Sequence, residues 1–332
     1  MSRKSGENLT ARRKVNLGEL YSKYGMFVIL FAMMAIGAVL SENFLTSRNL
    51  LNILKQNSYL LVMAFGTTFV MVIGCINIAY DSIMTLIGCS TALVFLTTQN
   101  FAVTLLVLLA LGVLVGYVYG GMVTFLNLPP FIVGLAVASI CEGLTILVTK
   151  GQIVNGLNGT AYTVVGQGKV GGVPNAILVM LVFMAVTWFL LRLTKFGRYA
   201  IAVGGNKKAA IVAGVRANRI IRLVYILDGV TAAVAGFMFM SRLGAGQPAP
   251  GTGYGFDAIT GVVIGGASLS GGSGGAVGTF IGVMVVALLT NIMNLLHLSS
   301  YYQMIAKGVL IVIAVVVDMK TKRASVRAGM KG

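Results

Sequence analysis

Asp81, Glu142 and Asp228 stand in or beside stretches that are otherwise apolar, and Asp257 stands at the boundary of another. An ionisable group inside a membrane-crossing run costs about 2.5–3.5 kcal/mol on insertion scales, so it usually faces a cavity or a partner. Asn77, Asn127, Asn291 and Asn294 add uncharged hydrogen-bonding groups, and Gln303 opens the last apolar run. These groups do not form a catalytic set. The chain has a single histidine, His297, no acids at a useful pair spacing and no Ser/His arrangement of the hydrolase kind. Cys75, Cys89 and Cys141 lie in apolar runs, at a spacing that suits neither zinc nor a disulfide framework, and read as small buried hydrophobes. No Gly-x-x-x-x-Gly-Lys-Ser/Thr stretch is present to cradle a nucleotide phosphate. The expectation is therefore no catalytic residue, no metal and no cofactor. What remains is hydrogen bonding to a polar guest, with Asn77, Asp81, Glu142, Asn291 and Asn294 as candidates.

Each candidate also has a plainer reading. Asp228 follows Arg222 by six residues and could sit near headgroups, and Asp257 could cap a helix starting at Ala258. Asn291 and Asn294 are three apart, hence on one helical face, where they could tie helices together.

The elements that must carry these groups are dictated by composition. Of 332 residues, 57% are hydrophobic and 10% charged, with mean hydropathy +0.92. Soluble domains carry roughly 25% charged residues. Ten apolar runs are read at 25–41, 59–79, 83–97, 101–126, 131–149, 176–193, 220–240, 258–269, 276–296 and 303–317. A spanning helix needs about 20 residues, and these runs lack the alternation of a β-barrel strand. The fold class is an all-α polytopic membrane protein of about ten transmembrane helices. Runs 83–97 and 258–269 are short for a span.

The net charge is +17, but the bases gather at both ends and in the stretch 194–219. That pattern is the positive-inside signature and argues against nucleic acid. It places both termini and 194–219 in the cytoplasm, with an even number of spans on each side. Residues 1–24 are read as a basic cytoplasmic segment before a retained first span, 25–318 as one transmembrane domain and 319–332 as a basic cytoplasmic tail. Glycines recur every four residues at 112, 116 and 120, and at 274, 278 and 282, a spacing that lets helix backbones approach. "VIGCINIAYDS" (72–82) and "VIGGASLSGGS" (263–273) share their beginnings and ends, and each adjoins a short run. Unwound backbone of this kind is tolerated at depth only beside protein or water.

The stretch "GGNKKAAIVAG" (204–214) interrupts the apolar pattern. Asn206 suits an N-cap and Gly214 the C′ position, so Lys207 to Ala213 is expected to form about two helical turns. Lysines in a first turn oppose the helix dipole. Small faces and a positive start suit docking against another molecule, and equally a connector lying on anionic lipid.

"FGRYAIAVGGNKKAAIVAGV" (196–215) resembles the cytoplasmic loop of permease subunits in the ribose/xylose/galactoside family of ATP-binding cassette importers. That loop has Phe-Gly-Arg, a short strand-like run, Gly-Gly-Asn, then Ala-Ala and Gly. "FLTSRNLLNIL" (44–54), "NLPPFIVGLAVASICEGL" (127–144), "DAITGVVIGGASLSGG" (257–272), "GTFIG" (278–282) and "YYQMIAKGVLIVIAVVVD" (301–318) extend the likeness, in order, over nearly the whole chain. The resemblance implies an importer permease fold in which Gly204, Gly205, Asn206, Ala209, Ala210 and Gly214 form a coupling segment that docks on an ATPase subunit. It adds Phe131, in the Pro-Phe-Ile turn, to the path candidates. The implied partners are cytoplasmic ATPase subunits, a periplasmic or lipid-anchored solute-binding protein, a second copy of the chain and membrane lipid. The implied setting is the inner membrane, and the implied cargo a monosaccharide. The family usually has Gly-Gly-Ile-Asp-Leu-Ser-Val-Gly where residues 74–81 read "GCINIAYD", an Arg at 142 and a Glu where Gly255 stands. These departures bear on specificity. A nucleoside, a branched-chain amino acid or a sugar-like signal is the alternative cargo, and an ion-coupled carrier or a channel the alternative machine.

Overall fold

The computed structural model of the protein describes residues 17–249 and 253–329. Most of the basic N-terminal segment (1–16) and Lys331 in the tail lie outside the described residues. Each of the ten apolar runs lies at least partly on a helix, although 73–79 and 265–269 fall outside any helix. The first five are α1 (Leu17–Leu40), α2 (Ser47–Val72), α3 (Tyr80–Thr98), α4 (Phe101–Thr124) and α5 (Pro130–Thr149). A short insertion follows, with α6 (Val164–Gln167) and an antiparallel pair, β1 (Lys169–Val170) and β2 (Val173–Pro174), in which Val170 faces Val173. Next come α7 (Asn175–Leu193), α8 (Lys195–Gly205), α9 (Lys207–Val212) and α10 (Ala217–Leu243). The chain closes with α11 (Tyr254–Ile264), α12 (Ala276–Leu295) and α13 (Ser300–Gly329).

Among the described residues, six helices are long and apolar enough to cross a membrane: α3, α4, α5, α7, α10 and α12. Shorter apolar segments lie in α1, α11 and α13. The 26-residue α2 has the length, roughly 39 Å at 1.5 Å per residue, but Lys55, Gln56 and Asn57 dilute its first half. The run 83–97 lengthens to 19 residues because Tyr80, Asp81 and Ser82 join its first turn. The run 258–269 does not lengthen: α11 has 11 residues and ends at Gly265, ahead of a glycine-rich turn.

Helix ends follow local chemistry. Asn100 caps α4 by accepting the Ala102 and Val103 N–H groups at 2.9 and 3.2 Å, and the Pro129-Pro130 pair starts α5. Packing centres on α10, which lies against α4, α2 and α3. Gly112 and Gly116 press against α10 so closely that a Cβ on Gly116 would stand 2.3 Å from the Tyr225 carbonyl oxygen. The expected glycine seam is real there. At the second seam Gly278 and Gly282 meet Gly265 and Gly261, but Gly274 lies in the preceding turn and takes no part in the helix.

Two further expectations are corrected. The strand-like run after Phe196 is helical: Gly197, Ala200 and Val203 recur every three residues and are buried, so α8 presents one small, buried stripe. Asp228 is not near the rim. It is 2% exposed in the middle of α10.

The bundle has two distinct ends. The C-terminal end of α2, the turn between α11 and α12, and α8 gather at one, where Gly272 N–H donates to the Val72 carbonyl at 2.9 Å. The first half of α2 and the C-terminal ends of α10 and α12 gather at the other, around a cavity.

Candidate functional site

That cavity has a volume of about 360 Å³, within the roughly 300–1,000 Å³ of small-molecule sites. Its wall carries an aromatic cluster. Tyr59 meets Phe239 and Tyr254 edge-on at centroid distances of 4.9 and 5.5 Å, and Phe239 lies 5.4 Å from Tyr254. Around these rings stand Gln56, Asn57, Arg242, Gln247, Thr290, Asn291 and Asn294, and the ion pair of Lys307 with Asp257. The polar groups are held in place. Arg242 donates to the Gln56 carbonyl at 3.1 Å, and Asn291 exchanges two amide hydrogen bonds with Asn49, each 3.0 Å. Gln303 donates to Asn294 at 2.7 Å. The partly exposed Tyr254 ring beside several fixed donors and acceptors can meet a small polar ring, with the amides facing its hydroxyls.

Of the path candidates, Asn291 and Asn294 line this chamber. Asn291 is also interhelical glue, as its plainer reading held. Asn77 lies elsewhere, buried in the unwound stretch between α2 and α3. There its amide donates to Asp228 at 2.8 Å and its oxygen accepts from Ala79 N–H, while the Tyr80 hydroxyl also donates to Asp228 at 2.9 Å. Asp81 accepts the N–H groups of Gly253 and Gly255, each at 2.8 Å, and so caps the start of α11 from a different helix. Glu142 and Phe131 face outward on α5, away from the chamber. Asp257 is in the first turn of α11, three residues after its start, and its carboxylate is engaged by Lys307 rather than by a helix end.

Gln56, Asn57, Arg242 and Gln247 belong to no motif that would mark them in the sequence. Lys307 carried a usable signal, being a base inside the final apolar run.

At the opposite end, α9 forms as its ends require. The Asn206 side chain accepts Ala209 N–H at 3.0 Å, and Gly214 takes φ +85° past the last turn. Gly205, Asn206, Ala209 and Gly214 are exposed. Ala210 is 5% exposed and packs inward, and Gly204 is pressed on Val72, so neither presents a surface. The outward face is instead Ile211 and Val212, 52% and 89% exposed. Among the described residues no group of three or more His, Cys, Asp or Glu could hold a metal ion.

The cavity, with its polar lining groups, is thus set at one end of a bundle of apolar helices. Residues 49–315 match the family model described as "Branched-chain amino acid transport system / permease component". The chain belongs to this permease family. The permease is 36% identical over 313 residues to the ribose import permease protein RbsC of Bacillus subtilis (strain 168), covering 94% of this chain and 97% of that one. It is 40% identical over 296 residues to the ribose import permease protein RbsC of Escherichia coli (strain K12), covering 88% and 92%. With the D-allose transport system permease protein AlsC of Escherichia coli (strain K12) the identity is 31% over 311 residues, covering 92% and 94%. No solved structure matches the permease.

Proposed function

We propose that the permease is the membrane subunit of an ATP-driven importer and carries a monosaccharide inward across the inner membrane. The observation that carries this reading is likeness over nearly the full length to ribose and allose permeases, joined to a chamber whose aromatic and amide lining suits a sugar ring. In this reading the chain crosses the membrane ten times: α1, α2 and α13 add to the six clear spans, and the 11-residue α11 crosses only together with the glycine-rich segment that follows it. Both termini and α8–α9 lie in the cytoplasm, and the chamber opens on the other side, where a binding protein delivers cargo. The permease hydrolyses nothing itself. Cytoplasmic ATPase subunits grip α9, and the outward Ile211 and Val212 are the apolar contact such a partner would cover.

A second copy covers part of the bundle's outer face. Glu142 lies on an exposed, mostly apolar face of α5, and an acid there would cost about 2.5–3.5 kcal/mol against lipid. That face, with Phe131, packs on the second copy, which takes the acid out of lipid.

The test is reconstitution of the permease with its ATPase and binding protein in proteoliposomes, with labelled ribose, allose and xylose outside. The reading expects ATP-dependent uptake of one of these. Uptake of leucine instead would favour the amino-acid cargo named in the family description. Sugar uptake by the permease alone under a proton or sodium gradient would overturn the ATP-driven reading.

A further inference from the structure

Three turns far apart in the sequence meet at the α8 end of the bundle, and they meet through backbone. The first follows α2, the second closes α8 at Gly204, and the third joins α11 to α12. Gly272 N–H donates to the Val72 carbonyl at 2.9 Å. A Cβ on Gly204 would stand 1.8 Å from that same carbonyl oxygen and 2.7 Å from Gly272 N. A Cβ on Gly271 would stand 2.7 Å from the Gly204 oxygen and 2.8 Å from the Gly74 Cα. Only glycine fits at these contacts, and Gly74 and Gly271 also take φ of +74° and +84°, where side chains are disfavoured.

Close-packed contacts transmit strain, and here there is no rotamer to absorb it. A shift of α8 must therefore be handed on. The first turn leads directly into Asn77, anchored on Asp228 of α10, and the third leads into α11, whose Asp257 faces the chamber.

We propose that Gly204, Gly271 and Gly74 form a backbone joint that moves as one piece and carries displacement of α8 and α9 to α2 and α11, and so to the chamber. They are positioning residues of the transport cycle. The inference rests on α9 being the ATPase contact.

The assembled transporter in proteoliposomes tests it, with Gly204→Ala compared against Gly275→Ala. Gly275 lies in the same glycine-rich segment, with extended φ of −170° and open space where its Cβ would go. Gly204→Ala is expected to keep its ATPase on co-purification and to hydrolyse ATP, while sugar moved per ATP falls at least about tenfold. Gly275→Ala should stay within about twofold of the parent. Unchanged coupling in Gly204→Ala, or an equal loss in Gly275→Ala, overturns the joint. Uptake by the parent is read first: its absence counts against the importer reading, whereas a difference between the two variants bears on the joint alone.

A second measurement keeps the glycines intact. Spin labels at Tyr199→Cys on α8 and Ser273→Cys in the third turn, both exposed sites, report their separation with the native cysteines replaced. An unchanged separation between nucleotide-free and ATP-bound states supports a rigid joint, and a shifted one overturns it.

Discussion

At the α8–α9 end, turns and helices touch through glycine backbone, whereas at the chamber end Tyr59, Phe239, Tyr254 and long polar side chains stand between the same helices. Backbone contact gives stiffness and a single geometry. Side-chain contact gives room, and rotamers that can rearrange around a guest. One bundle thus joins a rigid end to an adaptable one, and α2 and α11 reach both. Between them sits Asp228, which ties α10 to the unwound stretch after α2 through Asn77 and to the start of α3 through Tyr80.

Removing that tie should have the largest effect. Asp228→Leu strands the Asn77 amide and the Tyr80 hydroxyl, each a buried group worth about 1–3 kcal/mol when left unmade. A loss of about 4 kcal/mol is expected, read as a lower unfolding midpoint in detergent. Asp228→Asn, which retains one acceptor, should lose less. Equal midpoints for Asp228→Leu and the parent would mean that the two ends are not joined there.

At the stiff end, the pair Ile211→Asp and Val212→Asp should leave the bundle folded, since both side chains point outward. Retention of the ATPase on co-purification is expected to fall by at least about tenfold, the effect of losing an apolar interface anchor of about 1.4 kcal/mol or more. Full retention would move the contact away from α9.

At the adaptable end, Lys307→Met leaves the Asp257 carboxylate unpaired beside the chamber. The cargo concentration for half-maximal uptake should rise by about tenfold, with partial recovery in Asp257→Lys combined with Lys307→Asp. No recovery would mark the pair as tuned in place rather than by charge alone. The smallest effect is expected from Asn291→Ala, which removes the reciprocal amide pair with Asn49. Interhelical hydrogen bonds of this kind average about 0.6 kcal/mol, so a small drop in unfolding midpoint is the expected result.

Much of the fold could be read before the structure. Apolar runs became helices because length and hydropathy decide that question. α9 was legible because Asn206 and Gly214 act locally. α8 was not, since the alternation of Tyr199, Ala200, Ile201, Ala202 and Val203 looks extended and is helical only because Gly197, Ala200 and Val203 share a buried stripe. The chamber was half legible. Asn291 and Asn294 were found as polar groups in an apolar run, but the Asp257–Lys307 pair spans 50 positions and leaves no motif. The setting of Asp81 was hidden for a related reason: its partners are backbone N–H groups 172 and 174 residues away, which any sequence would supply. The backbone joint was invisible as a contact, although the echo of residues 72–82 and 263–273 marked two of its three turns.

The central claim is that force enters at α9 and is felt in the chamber. Asn294→Cys, in a chain whose native cysteines are replaced, places a reporter in the chamber wall for a membrane-impermeant maleimide. The account predicts that ATP binding by the assembled transporter changes its labelling rate by at least about fivefold, and that the change disappears when Ile211 and Val212 are replaced by aspartate. A labelling rate indifferent to ATP, or one that still responds after α9 is altered, would contradict it.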